Sequence, residues 1–170
     1  MKKETSVKIA KVQIFPNEQQ VVELRQMFNL YSNACNWLSV KVFQNKILNL
    51  VKLHNLFYEQ MRNELGTKSQ FTQSVIKTVI SRYKTAKANG HAWTLVKFTG
   101  NEYDLVWNRD YSLVGNQFSV SVASGRIKVN FSKKPLDQFQ KHKDKFGSAK
   151  LVNKFGKWFL HIPISKEVSL

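Results

Sequence analysis

The spacing of apolar residues changes twice along this sequence, and that change constrains the fold more than any other feature. Residues 5–15 are rich in β-branched side chains and predict a strand that Pro16 ends. Residues 18–87 have helical spacing, and the residues from Ala92 onward alternate as strands do. A lone strand is not stable without partners. We therefore predict an α+β fold, in which a β-barrel is interrupted after its first strand by a helical insertion.

The helical zone predicts three helices, from about residue 18, over 51–65 and over 69–87. Asn17 and Gln20 form a capping-box pattern before the first helix. Gly66 and Asn89–Gly90 are the stop signals of the second and third. The first helix has one long apolar stripe, which Trp37 and Leu30 broaden and which consists of Val21, Leu24, Phe28, Tyr31, Cys35, Leu38 and Val42.

The β zone predicts six strands and two tight turns. The turns are expected at Ser124–Gly125 and Asn153–Gly156. A short basic helix is expected over 136–142. A bulge or bend is expected near Ala10–Lys11, where the apolar parity of the first strand changes. The predicted strands are Trp93–Phe98, Tyr103–Trp107, Gln117–Val122, Arg126–Phe131, Ala149–Asn153 and Lys157–Ile164.

The charge balance indicates a polyanionic partner. The chain has 27 Lys and Arg against 11 Asp and Glu among 170 residues, a formal net charge of +16. Nucleic acid is the default candidate, and the alternatives are simple solubility or a structural role like that of ribosomal proteins. An apolar fraction of 42% argues against a disordered basic tail. We expect a cytoplasmic protein without a membrane partner, because no apolar run reaches the length of a membrane span.

Residues suited to catalysis are sparse, so we predict neither a catalytic site nor a metal site in this chain. The single cysteine, Cys35, lies on the apolar stripe and is expected to be buried rather than nucleophilic. No histidine has metal-ligand spacing with another. The closest acidic cluster, Glu102, Asp104 and Asp110, spreads over a strand and a loop, whereas two-metal sites need converging carboxylates.

Nucleic-acid contact has two candidate surfaces. The third helix carries a polar stripe of Gln70, Gln73, Lys77, Ser81 and Lys84, where Gln can bond a base edge and Lys a phosphate. The alternative for this stripe is an ordinary solvated face. Basic residues also gather in the β zone, where barrel strands that display cations beside aromatics bind oligonucleotides: Arg126, Lys128, Lys133, Lys134, Lys141, Lys143, Lys145, Lys150 and Lys154. Candidate stacking aromatics, each of which could instead be core, are Trp107, Tyr111 and Phe155.

Seven segments in order resemble one known family. They are IFPNEQQ, ACNWLS, NKILNLVKL, KSQFTQSVIKTVISRYK, YDLVWN, SGRIKVNF and FGSAKLVNKFGKWFLHIPI. Together they resemble the N-terminal half of TnpB proteins, which are transposon-encoded RNA-guided DNA nucleases related to the miniature type V CRISPR effectors.

The resemblance implies two domains and their partners. Residues 1–16 and 91–170 would form the wedge domain, an oligonucleotide-binding-type barrel, and residues 17–90 the helical recognition lobe. The implied partners are a guide RNA, the guide–target heteroduplex and double-stranded target DNA with a short motif beside the target. The resemblance implies that Ser69, Gln70 and Gln73 contact that DNA motif, and that Lys68 and Lys77 contact the DNA backbone. Motif contacts from the loop before the second helix do not carry over, because the stretch here reads LNLVKL.

Family members continue into an RNase-H-like nuclease domain with three catalytic acidic residues and usually a zinc-binding insert. We expect no cleavage and no cofactor from these 170 residues, and a divalent metal only in such a nuclease domain, supplied in cis or by a partner chain. The alternatives are a stand-alone DNA-binding repressor or a nuclease-dead transposon remnant that uses no guide RNA.

Overall fold

The computed structural model of the chain describes residues 3–137 and 144–169, and within them the fold is α+β. Three α-helices, α1 (Glu18–Asn45), α2 (Leu50–Leu65) and α3 (Ser69–Ala88), follow the first strand. A 3-10 turn lies at Lys134–Leu136. The eight strands are β1 (Lys3–Phe15), β2 (Tyr103–Leu105), β3 (Tyr111–Val114), β4 (Gln117–Val122), β5 (Gly125–Phe131), β6 (Asp144–Phe146), β7 (Ala149–Lys154) and β8 (Lys157–Ser169).

The strands form one antiparallel sheet that nearly closes into a barrel. Their order is β2-β7-β8-β1-β5-β4-β3, and β6 also pairs with β8. Two buried tyrosines on β2 and β3, the strands at the two ends of this order, make hydrogen bonds that link the two ends of the sheet. Tyr103 on β2 donates its hydroxyl to the Ser121 carbonyl oxygen at 3.0 Å, and Tyr111 on β3 donates to that of Gly147 at 2.7 Å. Burial raises the pKa of both phenols, so both hydroxyls stay protonated donors.

The N-terminal strand pairs with later strands, as expected for a strand that is not stable alone. β1 pairs with β8 from Lys3↔Ser169 to Ile14↔Trp158 without a break in register. The predicted bulge near Ala10–Lys11 is therefore wrong, and the alternative of a bend there stays a prediction. The strand instead keeps one regular pleat and leaves Val7 and Ile9 exposed to solvent, at 62% and 64%.

The inward side chains of the sheet are apolar and almost fully buried. The hairpin of β4 and β5 has the predicted faces, with Phe118 opposite Val129 and Val120 opposite Ile127. The turn lies one residue before the predicted position, because Val122 pairs with Gly125. The buried inward set of the other long strands consists of Ala10, Val12, Ile14, Ala149, Leu151, Trp158, Leu160, Ile162 and Ile164.

The helices confirm most of the predicted pattern. Asn17 and Gln20 exchange side-chain-to-backbone hydrogen bonds of 2.9 and 3.0 Å, which is the predicted capping box. Gly66 ends α2 in the left-handed conformation. Cys35 is fully buried. Leu30, expected to broaden the apolar stripe, is 41% exposed. Each residue advances an α-helix by about 100°, so Leu30, two residues after Phe28, lies on nearly the opposite face of the helix.

The predicted strand Trp93–Phe98 is wrong, since this segment is irregular. Its backbone bonds to side chains of α1 instead of to a neighbouring strand. Asn36 accepts from the Phe98 N–H at 2.8 Å and donates to its carbonyl oxygen at 3.0 Å, and Ser39 donates to the Val96 carbonyl oxygen at 2.6 Å. The ring of Trp93 stacks on Phe43.

The other predicted strands are confirmed within two residues at each end, except that β8 runs on to Ser169. The short strands β3 and β6 were not among the predicted strands. The basic helix expected over 136–142 lies mostly outside the described residues.

The chain divides into two compact units. The first consists of residues 1–27 and 102–170, and the second of residues 28–101. The sequence-based domains are divided instead after residues 16 and 90. The sheet residues discussed below belong to the first unit, and α3 belongs to the second.

Candidate nucleic-acid interface

The outward face of β1, β8 and β7 carries a row of cationic side chains. Lys11 on β1 stands opposite His161 on β8, and His161 stands opposite Lys150 on β7. The inward neighbours Val12, Leu160 and Leu151 are fully buried, so strand alternation points the row outward. Both lysines are exposed and His161 is half-buried. We call this row, together with Lys154 on β7, the cationic row.

The charges of the cationic row repel one another. Burial lowers the pKa of His161, and the neighbouring cations Lys11, Lys154 and Lys150 lower it further. Asp104 on β2 is in register with Lys150 at one end of the row and supplies one compensating carboxylate. The surface therefore carries an excess of positive charge, which a bound anion would relieve.

Aromatic rings lie beside these cations. The Phe159 ring is 6.4 Å from that of His161, at an interplanar angle of 53°. In register it has Gln13 on one side and Val152 on the other, and all three are half-buried on the outward face. At the turn that follows β7, Phe155 is fully exposed at 103%. Cations interleaved with aromatics are the surface chemistry by which barrel strands hold oligonucleotides.

The other two candidate stacking aromatics, Trp107 and Tyr111, pack against each other. Tyr111 is fully buried. Trp107 is half-buried, and its ring packs 5.1 Å from that of Tyr111 and 4.7 Å from that of Phe146. Stacking of Tyr111 on bases is therefore wrong, because its ring is buried, whereas stacking of the half-buried Trp107 stays a prediction.

The basic residues of β5 lie on its outward face, as predicted, but they are not equivalent. The Arg126 guanidinium donates to the Ser119 hydroxyl at 2.8 Å and to the Arg109 carbonyl oxygen at 2.9 Å. These bonds give Arg126 a structural role in the sheet. Lys128 is exposed, and so are Lys133 and Lys134 beside the 3-10 turn. Lys141 and Lys143 lie outside the described residues.

The predicted polar stripe of α3 is present on the helix surface. Gln70, Lys77 and Lys84 are exposed, and Gln73 is half-buried. Ser69 is half-buried at the first position of the helix, where its hydroxyl accepts from the Tyr58 hydroxyl at 2.7 Å. Lys68 is exposed just before the helix.

A groove runs beside this stripe between the start of α2 and α3. It has a volume of about 270 Å³. Gln73 and Lys77 line it on one side and the exposed Leu50 and Val51 on the other. The Gln73 amide, the Lys77 ammonium group and apolar surface thus line one groove. That combination suits the edge of a base and its adjoining phosphate.

The acidic residues Glu102, Asp104 and Asp110 do not gather into a metal site. Asp110 is buried and structural: its carboxylate accepts from the Val106 N–H at 2.8 Å and pairs with Arg109 at 3.1 Å. In the described ranges, no group of three His, Cys, Asp or Glu side chains could hold a metal ion. No helix in the part of the chain that the structure describes has the length and apolarity to cross a membrane.

Sequence reasoning did not single out Lys11, His161 or Phe159. The available signal was strand parity, since the alternation that buries Leu160 and Ile162 points Phe159 and His161 outward. The pairing of β1 with β8 brings Lys11 beside them. The sequence predicts that the first strand pairs with later strands, but it does not predict which residues stand opposite each other.

No protein-family model matches this chain, and no curated protein matches it either.

Proposed function

We propose that this chain is the nucleic-acid-binding recognition module of a TnpB-like RNA-guided DNA endonuclease. It binds the guide RNA scaffold and the guide–target heteroduplex through the cationic row, and it contacts a target-adjacent DNA motif through the α3 stripe. The observation that carries the proposal is the convergence of Lys11, Lys150 and Lys154 around His161 on one outward sheet face.

Electrostatics support a polyanion rather than a small anion. The lysines of the row come from two strands that flank β8, so their charges spread across the sheet. A phosphate backbone can engage several such charges at once, and each contact releases condensed counterions. Phe159 and Phe155 add aromatic surface on which the bases of a nucleic acid can stack.

In this proposal the sheet is an oligonucleotide-binding-type wedge barrel, interrupted after β1 by the recognition helices. The pairing of β1 with β8 and β5, on the far side of the three helices in sequence, supports this description. The resemblance to TnpB proteins supports the assignment of the two parts to RNA scaffold and DNA motif.

The step assigned to this chain is binding and positioning. Cleavage belongs to an RNase-H-like domain acting in cis or in trans, and the divalent metal belongs to that domain. In the chain itself, lysine ammonium groups hold phosphates. Gln73 in the groove and Gln70 on the exposed surface of α3 offer amides to base edges.

The test is a binding measurement on the full chain by fluorescence anisotropy at low salt. The probes are a labelled structured RNA, polyuridylic acid and a mixed-sequence DNA duplex. We expect tight binding to RNA, and weak sequence-independent binding to the duplex in the absence of RNA. The absence of RNA binding at low salt would overturn the proposal. Guide-independent binding to one duplex sequence would favour the stand-alone repressor instead.

A further inference from the structure

The hairpin between β7 and β8 presents one aromatic side chain entirely to solvent. Lys154 pairs with Lys157, which leaves Phe155 and Gly156 as a two-residue turn. Phe155 is 103% exposed, whereas the exposed aromatics Phe15 and Trp93 of the described chain stand at 49% and 36%. A phenyl ring left entirely in water gains nothing from the folded state.

The backbone of this turn makes the position of Phe155 more unusual. Phe155 has φ 53° and Gly156 has φ 77°, the left-handed pair of a type I′ turn. Such turns favour Asn, Asp or Gly, and a bulky side chain there is strained. The fold itself therefore neither packs Phe155 nor favours it, and strain of this kind is often found at functional sites.

The surroundings of Phe155 favour an anionic, aromatic ligand. Lys154 and Lys157 flank the turn and are both exposed. Lys154 also belongs to the cationic row, because its charge acts on His161. A nucleotide combines the two features that such a tip can bind, a flat ring to stack on phenyl and a phosphate for the neighbouring ammonium groups.

We infer that Phe155 is a stacking platform for an unpaired nucleobase, with Lys154 and Lys157 holding the phosphates on either side of that nucleotide. This inference rests on the proposed function and adds a defined contact to it. The contact is tolerant of base identity, because every base has a π-face. It places an unpaired stretch of the RNA, rather than a continuous duplex, at the β7–β8 turn.

Two substitutions separate stacking from simple apolar contact. Phe155→Leu keeps an apolar side chain and removes the aromatic face, and Phe155→Tyr keeps the ring. With the full chain and polyuridylic acid, we expect Phe155→Leu to bind about 5- to 150-fold more weakly and Phe155→Tyr to bind as the unchanged protein does. Leu113→Ala, which shortens an apolar side chain that is 41% exposed on β3, is the matched control and should leave binding unchanged.

A third substitution shows that the effect is not one of folding. Phe155→Asn places a residue that favours this turn, so the melting temperature should rise by about 2–4 °C while the affinity falls as for Phe155→Leu. Photo-crosslinking with a 5-iodouridine-substituted oligonucleotide should give an adduct on Phe155.

Equal affinity of Phe155→Leu and the unchanged protein for polyuridylic acid would overturn the inference, as would adducts confined to other residues. If the unchanged protein binds no RNA at all, the proposed function itself fails. RNA binding that depends on Lys11 and Lys150 but not on Phe155 would leave the proposed function standing and remove only the stacking contact.

Discussion

His161 of β8 lies directly opposite Lys11 of β1 in the antiparallel register, on the outward face of the sheet. Burial first, and then the charge of Lys11 and of the two lysines of β7, lower the pKa of the His161 imidazole. The folded protein therefore disfavours the protonated form of the His161 imidazole, and a bound anion would favour that form. Two consequences for pH dependence follow from this relationship.

The first concerns the stability of the free protein. In the unfolded chain the imidazole has its ordinary pKa of about 6.5, so the unfolded state binds more protons below that pH than the folded state does. The contribution of His161 to stability is thus present above about pH 6.5 and is lost as the pH falls through the lowered folded pKa. Urea denaturation at pH 7.5 and 5.5 should show this loss, and His161→Gln should lose less stability than the unchanged protein. Equal pH dependence in the two proteins would contradict the assignment.

The second concerns affinity, and its sign is opposite. A bound phosphate stabilises the imidazolium, so nucleic acid raises the pKa of His161 and binding takes up a proton. The affinity for polyuridylic acid should increase as the pH falls from 7.5 to 5.5, by more in the unchanged protein than in His161→Gln. Anisotropy titrations at the two pH values measure it. If the substitution leaves the pH dependence of the dissociation constant unchanged, His161 is not in the interface.

The residues of this interface show how far the sequence leads. Alternation along Lys157–Ile164 predicts a strand, which the structure confirms, and the even-numbered residues of this strand are the buried ones. The row itself depends on register between strands about 150 residues apart, such as Lys11 and His161. No local pattern specifies that register, because pairing is set by the whole sheet.

The same distinction explains the incorrect predictions. The apolar residues of Trp93–Phe98 alternate like a strand, but Asn36 and Ser39 of α1 satisfy its backbone and leave no need for a neighbouring strand. The bulge near Ala10–Lys11 assumed that all apolar residues of β1 must be buried. The sheet instead leaves Val7 exposed. A tertiary contact overrides the local pattern in the first case, and the absence of one overrides it in the second.

The stripe of α1 offers a test of the core. Phe28 is 3% exposed, whereas Leu30, two residues later, is 41% exposed. We expect Phe28→Ala to lower the free energy of unfolding by about 3–5 kcal/mol, because it leaves a cavity. Leu30→Ala is the matched control and should change it by about 0.5 kcal/mol or less. Chemical denaturation measures both values, and similar losses for the two variants would contradict the placement of the stripe.

Gln73 tests the DNA contact separately from the RNA contact. It lines the groove beside α3 with Lys77 and is half-buried. Gln73→Ala should weaken motif-dependent DNA engagement by the RNA-loaded protein by roughly 5- to 150-fold, the effect of one lost bidentate base contact, while RNA binding is nearly unchanged. Gln26→Ala, at an exposed position of α1, serves as the control. Loss of RNA and DNA binding together, with intact folding, would contradict the proposed division of roles.

The salt dependence of RNA binding tests the central claim most directly. The measurement compares the unchanged protein with a variant carrying Lys11→Gln, Lys150→Gln and Lys154→Gln, and with Lys52→Gln, an exposed lysine of α2, as the control. A plot of log affinity for polyuridylic acid against log salt should be linear. Its slope should become shallower by about 2 in the triple variant, since each lost phosphate contact with a single strand contributes about 0.7, and should stay unchanged in Lys52→Gln. An unchanged slope in the triple variant would show that the nucleic acid does not bind at the cationic row.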